Sequence, residues 1–114
     1  MIQTECANLL WCSEKLSNMI YHVATSEDWE LHNSSSSYHP KAYSEEGFIH
    51  CSTKKQVADV LQRYYTGHKN LILLHIEESK LTALLNYEKS TDGELFPHVL
   101  GVINKEAIVK TENL

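Results

Sequence analysis

The chain has 114 residues, of which 42% are hydrophobic and 22% are charged, and its formal net charge is -5 at pH 7. This length and balance predict one soluble globular domain, and the acidic charge disfavours non-specific binding to nucleic acid or to anionic membranes. No apolar run reaches the ~20 residues that a membrane-spanning helix needs, and the first residues lack the features of a signal peptide.

The three cysteines of the chain, Cys6, Cys12 and Cys51, are odd in number and form no CxxC pair. Such cysteines disfavour both a disulfide framework and a zinc site made of four thiolates. Because unpaired thiols suit a reducing compartment, we expect a cytoplasmic protein.

The order of the predicted elements is strand, helix, loop, strand, helix and then several strands, which is typical of an α+β domain. Residues 19–114 are predicted to form this single domain. Residues 1–18 show only weak helical character, and we interpret them as an extension outside it. A polar loop over residues 33–37 separates the first strand and helix from the rest.

The first strand is predicted over residues 20–24. Because side chains alternate along a strand, Tyr21 and Val23 face one side and His22 faces the other. Thr25, or the serine after it, is expected to cap the short helix that follows.

The segment EEGFIHCS, residues 45–52, predicts a turn at its glycine followed by a short buried strand. His50 lies near the carboxyl end of this strand, where ligand sites are common in α/β structures. Thr53 and Gln56 fit a capping box, which predicts a helix over about residues 54–66.

The second half of the chain is predicted to consist mainly of strands. The helix before it carries an apolar stripe, whose last member, Tyr64, is assigned to the core, with a cleft wall as the alternative. Residues 71–76, LILLHI, predict a central strand that is apolar on both faces, and residues 84–88 predict another strand. Since Pro97 lacks a backbone donor, residues 96–98 are predicted to lie at a sheet edge or in a bulge.

Three histidines, His22, His50 and His98, lie inside separate apolar runs. Histidines that serve solubility have polar neighbours, so this placement predicts that the three converge on one cleft together with Ser52. A hydrogen-bonded structural role is nevertheless commoner for a strand histidine than a catalytic one.

The segments IYHVA, EEGFIHCS and FPHVLG follow one another in this chain, with a Trp eight residues after the first Tyr. Their order resembles that of the domain-of-unknown-function 952 family over roughly residues 19–109. The resemblance implies a fold similar to that of the ADP-ribosyltransferases, with a split, mainly antiparallel sheet, two or three helices and a nucleotide cleft.

The same resemblance, with the histidine pattern, gives two groups of candidate site residues and no metal ligands. The candidate catalytic residues are His22, His50 and His98. The candidate ligand-binding residues are Ser52, Thr53, Glu88 and Tyr38. The implied ligand is a nucleotide or another phosphorylated small molecule, and NAD is the cofactor that such a fold suggests. A glutamate that usually ends the catalytic set of that fold is replaced here by His98.

Three interpretations of function remain open. The first is an enzyme, a transferase or glycohydrolase that acts on an NAD-like nucleotide through an oxocarbenium-like transition state. The second is a binding module of the same shape without turnover, which the missing late glutamate favours. The third and least favoured is a metal hydrolase with His22, His50 and His98 on zinc, although the chain has no HExxH motif.

A thiol and two carboxylates lie close to His50 in the sequence. Cys51 points to the opposite face of the strand, so His50 cannot readily activate it, and we interpret Cys51 as a small buried residue. Glu45 and Glu46 are interpreted as part of a solvated turn rather than as catalytic acids, although one of them could reach over His50 and raise the pKa of its ring.

Overall fold

The computed structural model describes residues 18–114, so the extension predicted for residues 1–18 lies outside it but for its last residue. In this part of the chain the strands are β1 (Met19–Thr25), β2 (Ser37–Tyr38), β3 (Ile49–His50), β4 (Leu71–Glu77), β5 (Leu84–Lys89), β6 (Leu95–Leu100), β7 (Ile103–Asn104) and β8 (Ile108–Asn113). The α-helices are α1 (Ser26–Leu31), α2 (Tyr43–Glu46) and α3 (Val57–Tyr64), and 3₁₀ turns lie at Lys54–Gln56, Glu78–Lys80 and Lys105–Ala107.

The described strands form three antiparallel sheets, which confirms the predicted α+β class with a split sheet. Strand β4 lies at the centre of the sheet β1-β4-β8, as its two apolar faces predict. Strand β6 lies at the centre of the sheet β3-β6-β5, and β2 pairs with β7. None of the helices within residues 18–114 has the length and apolar character needed to cross a lipid bilayer.

The sheet formed by β1 and β4 is apolar on both faces and so divides the interior into two cores. The main core takes Ile20 and Ala24 from β1, while the second takes Tyr21 and Val23. This is the alternation predicted for the first strand. His22 lies on the face of the main core, which directs its ring toward β3 rather than toward α3.

Helix α1 begins as its sequence predicts. The side-chain oxygen of Thr25 accepts a hydrogen bond from the backbone N–H of Asp28 at 3.1 Å, and Glu27 and Asp28 occupy the first turn. Trp29 from this helix packs against the main core.

The segment that leads into α3 begins with the predicted capping box. The side chain of Gln56 accepts from the backbone N–H of Thr53 at 2.9 Å. The amide of Gln56 also donates to the Leu95 carbonyl at 2.8 Å and to Glu94 at 3.0 Å. These bonds hold the start of the helix against β6.

The assignment of Tyr64 to the core is wrong, because its side chain is 63% exposed. The helix ends at this residue, and the backbone of Tyr65 has left helical geometry, with a φ of -127°. Tyr65, just past the end of the helix, packs against the second core in place of Tyr64. Tyr64 lines a surface cavity, which was the alternative assignment.

The prediction that residues 96–98 lie at a sheet edge is also wrong, because β6 is a central strand. Pro97 lies beyond the two pairs that define the β3–β6 ladder, opposite Cys51. Its carbonyl still accepts from the Cys51 N–H at 2.9 Å. The missing donor is tolerated because β3 ends there, after His50, so the ladder loses no further bond.

Candidate functional site

The site is built where the sheet β3-β6-β5 meets β1 and α3. Across the β3–β6 ladder, His50 lies directly opposite His98. Across the β5–β6 ladder, Asn86 is the partner of His98, so Glu88 lies diagonally from His98 on the same face. Strand register therefore brings together Glu88, His98 and His50, which are distant in sequence.

These three side chains form a continuous line of hydrogen bonds. Nδ1 of His98 lies 2.7 Å from Oε1 of Glu88. Nε2 of His98 lies 3.2 Å from Nδ1 of His50. Phe48 stacks on the His98 ring at a centroid distance of 4.2 Å and an interplanar angle of 18°, which fixes the orientation of that ring.

The bonding partners determine where the protons are. A carboxylate can only accept, so Nδ1 of His98 carries a proton and donates it to Glu88. In the neutral His98 ring, Nε2 is then an acceptor for the Nδ1–H of His50. The remaining nitrogen of the neutral His50 ring, Nε2, therefore has a lone pair.

Nε2 of His50 is buried and has no hydrogen-bond partner among residues 18–114. Burial, and then the neighbouring His98, lower the pKa of His50, which keeps its ring neutral at pH 7. Neither Glu45 nor Glu46 is among the groups that shift the pKa of His50, so the hypothesis that one of them raises it finds no support. His50 thus offers a neutral acceptor in a place from which water is largely excluded.

The ring of His22 has a different role. Its Nδ1–H donates to the backbone carbonyl of His50 at 2.8 Å, and its Nε2 lies 3.1 Å from the hydroxyl of Tyr38. Because Nδ1 is the donor, neutral His22 accepts from the Tyr38 hydroxyl at Nε2. Burial lowers the pKa of His22 to about 4 and raises that of Tyr38, so both are neutral. His22 therefore holds the backbone that carries His50.

Two adjoining cavities flank His50. One has a volume of about 410 Å³ and includes His22, Tyr38 and His50 in its wall. The other has a volume of about 540 Å³ and includes His50, His98 and Glu88. The wall between the two cavities is formed by five residues: Glu46, Phe48, His50, Val60 and Tyr65. We refer to the two cavities together as the joint cleft.

The charged residues of the joint cleft are three carboxylates and two lysines. Asp28 and Lys41 lie in the first cavity, Glu88 and Lys89 in the second, and Glu46 borders both. The summed charge of these groups is slightly negative. The cleft therefore favours a ligand that carries positive charge over one with several negative charges close together.

Two of the candidate ligand-binding residues do not line these cavities. Ser52 is buried, and its backbone pairs with that of Tyr21 at 2.8 and 2.7 Å. Thr53 caps the helix segment that begins at Lys54. The structure thus brings His22, Tyr38, His50, Glu88 and His98 to the joint cleft and gives Ser52 and Thr53 places beside it.

Metal binding finds no support in this arrangement. Within the part of the chain that the structure describes, no group of three or more His, Cys, Asp or Glu is placed to hold a metal ion. The reason is that the nitrogens of His22 and His98 bond to other protein groups. Cys51 is buried, and burial raises the pKa of its thiol, so it is not a nucleophile at pH 7.

Sequence analysis missed several aromatic and basic residues of the cleft: Phe48, Tyr65, Phe96, Lys41 and Lys89. Phe48 could have been found, because strand alternation places it on the same face as His50. The other four carry no local signal. Tyr65, Phe96 and Lys89 reach the cleft through the packing of α3 and the β5–β6 hairpin, and Lys41 lies in the segment between β2 and α2.

Solved structures of one protein, CC0527 from Caulobacter crescentus, are similar to this chain. Its crystal structure is 25% identical, covers 84% of this chain and 85% of that one, and has a TM-score of 0.77. The crystal structure of a double mutant is 24% identical with the same coverage and TM-score. Its solution NMR structure is 25% identical, covers 84% of each chain and has a TM-score of 0.72. No curated protein is significantly similar to this chain.

The family described as "Protein of unknown function (DUF952)" matches residues 23–111. This stretch covers most of the chain and contains His50, Glu88 and His98. It agrees with the resemblance carried by the three sequence segments. The chain therefore belongs to the DUF952 family.

Proposed function

We propose that this protein binds a ribose-containing nucleotide in the joint cleft, and that Nε2 of His50 accepts a hydrogen bond from a ribose hydroxyl. The observation that carries the proposal is the buried, neutral Nε2 without a partner among residues 18–114. A buried acceptor that lacks a donor costs about 1–3 kcal/mol, and a ligand hydroxyl would recover this free energy.

The size and walls of the cleft support a ligand with flat rings. Both cavities, at about 410 and 540 Å³, fall in the range of roughly 300–1,000 Å³ that is common for small-molecule sites. Three aromatic side chains line them: Phe48 just before β3, Tyr65 just after α3 and Phe96 in β6. Such rings can pack against a purine or a nicotinamide on either side of His50.

The charges of the cleft support a dinucleotide over a triphosphate. Lys41 and Lys89 offer one cation to each cavity, but three carboxylates lie in the same walls. A triphosphate would meet more repulsion than attraction there. NAD carries a cationic nicotinamide ring beside its pyrophosphate, and it is also the cofactor that the resemblance to ADP-ribosyltransferase-like folds suggests.

Isothermal titration calorimetry with NAD and with ADP-ribose tests the proposal. The variant His50→Phe removes both ring nitrogens and keeps a ring, and the matched control His75→Phe changes a strand histidine that lies outside both cavities. We expect saturable binding to the wild type, about tenfold weaker binding to His50→Phe and unchanged binding to His75→Phe.

Retention of the fold by each variant is checked from its ¹H–¹⁵N correlation spectrum. The absence of saturable binding to the wild type, or equal affinity of wild type and His50→Phe, would contradict the proposed function.

A further inference from the structure

We propose that the second cavity of the joint cleft, with a volume of about 540 Å³, is the subsite for a purine base, and that Tyr64 packs on this base. The proposal rests on the nucleotide binding proposed above and adds to it the orientation of the ligand. The AMP half of a dinucleotide lies in the second cavity, and the nicotinamide half lies in the first.

The two cavities differ in the aromatic side chains of their walls. Phe48 and Tyr65 border both cavities, whereas Tyr64 and Phe96 line the second and not the first. The first cavity adds Tyr38, whose side chain is fully buried. Because every nucleotide base has a π-face that stacks on aromatic rings, a neutral purine is stabilised more in the second cavity.

Tyr64 is the aromatic residue of this wall that a ligand can cover. It is the last residue of α3, its side chain is 63% exposed, and within residues 18–114 it belongs to neither core. The next residue, Tyr65, packs against the second core and is therefore held by the protein itself. A base that packs on Tyr64 removes apolar surface of this ring from water, which favours binding.

The lysines of the two cavities support the same orientation. In the first cavity, Nζ of Lys41 lies 3.8 Å from a carboxylate oxygen of Glu27, so part of its charge is already offset. In the second cavity, Nζ of Lys89 has no ion-pair partner among residues 18–114. Lys89 is therefore available to the phosphate that an AMP group carries beside its base.

The carboxylates of the first cavity suit the cationic nicotinamide ring. Asp28 and Glu46 both line this cavity. Burial, and then the charges of Asp28 and Glu46, raise the pKa of Tyr65, so both carboxylates act on the same part of the wall. A cationic ring is attracted by two carboxylates, whereas a neutral purine gains no such attraction.

Calorimetric titration of the full chain with AMP and with nicotinamide mononucleotide, the two halves of NAD, tests this orientation. Tyr64→Ala removes the ring, Tyr64→Phe keeps it, and neither variant changes a residue of a core. Tyr87→Ala is the matched control, because Tyr87 is another exposed tyrosine and lies outside both cavities. NAD binding by the wild type and by His50→Phe is measured in parallel.

We expect Tyr64→Ala to bind AMP about tenfold more weakly than the wild type and nicotinamide mononucleotide equally well, with Tyr64→Phe and Tyr87→Ala unchanged toward both. Equal affinity of Tyr64→Ala and wild type for AMP, or a loss confined to nicotinamide mononucleotide, would overturn the orientation. Binding of NAD without measurable binding of AMP would also overturn it. In these cases NAD binding that His50→Phe weakens leaves the proposed function standing, whereas no saturable binding of NAD would overturn both.

Discussion

Nδ1 of His22 lies 2.8 Å from the backbone oxygen of His50, so the ring of one histidine fixes the main chain that carries the other. The bond links β1 to the two-residue strand β3, which pairs with β6 in its ladder. His22 is buried and both of its ring nitrogens are bonded. Its contribution to the cleft is therefore positional, while His50 keeps the nitrogen that can meet a ligand.

The stability of the protein should depend on the protonation of His22. Burial lowers its pKa to about 4 from 6.5. Between these values the unfolded chain binds more protons at this residue, so the free energy of unfolding falls as the pH is lowered from 6.5 toward 4. The loss should reach about 3 kcal/mol, and the lowered pKa of His50 adds to it.

Urea unfolding at pH 7 and at pH 4.5 measures this effect. His22→Gln should show a smaller fall in unfolding free energy between the two pH values than the wild type. The surface variant His68→Gln should show the wild-type fall, since His68 is exposed. A wild-type stability that does not change over this range would contradict the assignment of His22 as a buried neutral ring.

Removal of the Tyr38 hydroxyl should destabilise the fold. Tyr38 is 0% exposed, and Tyr38→Phe leaves Nε2 of His22 without its donor. The expected cost in unfolding free energy is about 1–3 kcal/mol, which is that of a buried acceptor left without its donor. No packing loss adds to it, because the ring still packs against Trp29. Urea unfolding with an unchanged m value measures the loss.

Tyr87→Phe is the control for Tyr38→Phe. The Tyr87 hydroxyl contacts only Glu78, at 3.4 Å, among the hydrogen bonds of the described residues, and its side chain is 44% exposed. Its removal should change stability by less than about 0.5 kcal/mol. Equal losses in the two variants would show that the hydroxyl of Tyr38 is not a special partner of His22.

A third prediction concerns which ring nitrogen of His22 carries the proton. Since Nδ1 donates to a carbonyl, Nδ1 should be protonated and Nε2 unprotonated at pH 7. Long-range ¹H–¹⁵N correlation spectra distinguish the two nitrogens by their shifts. Protonated Nε2 in neutral His22 would be incompatible with a donor bond from Tyr38.

Gly101, directly after β6, should not tolerate a side chain. Its φ is +150°, and an added Cβ would lie 2.9 Å from the Cβ of Ala83. Gly101→Ala should therefore cost about 1–3 kcal/mol through strain and overpacking. Gly67 has a φ of +84°, but no atom of residues 18–114 would lie within 4 Å of an added Cβ, so Gly67→Ala should lower the melting temperature less. A larger loss at Gly67 would indicate that Ala83 moves aside freely.

Local patterns predicted the parts of the fold that depend on neighbouring residues. The alternation in β1 predicted which side chains enter each core, and Thr53 with Gln56 predicted the capping box. The pairing of β2 with β7 was missed, because two-residue strands carry no periodic signal. Pro97 was misplaced, since its effect on the sheet depends on where its partner strand β3 ends.

The residue types of the candidate site could be predicted from the sequence, but the hydrogen bonds between them could not. Apolar flanks singled out His22, His50 and His98, but nothing local distinguishes the bonded His22 from the open nitrogen of His50. That difference arises from the register of β3 against β6, which joins His50 to His98, and from the Tyr38 hydroxyl, which reaches His22 from another strand.

The most direct test of the account is the ¹⁵N shift of the His50 ring during titration with NAD. The free protein should show an unprotonated Nε2 in His50 at pH 7. Bonding to a ribose hydroxyl should then move this signal upfield in a saturable way, while the signals of His75 stay in place. A His50 Nε2 signal that does not respond to NAD, or a ring that is already protonated at Nε2 in the free protein, would contradict the account.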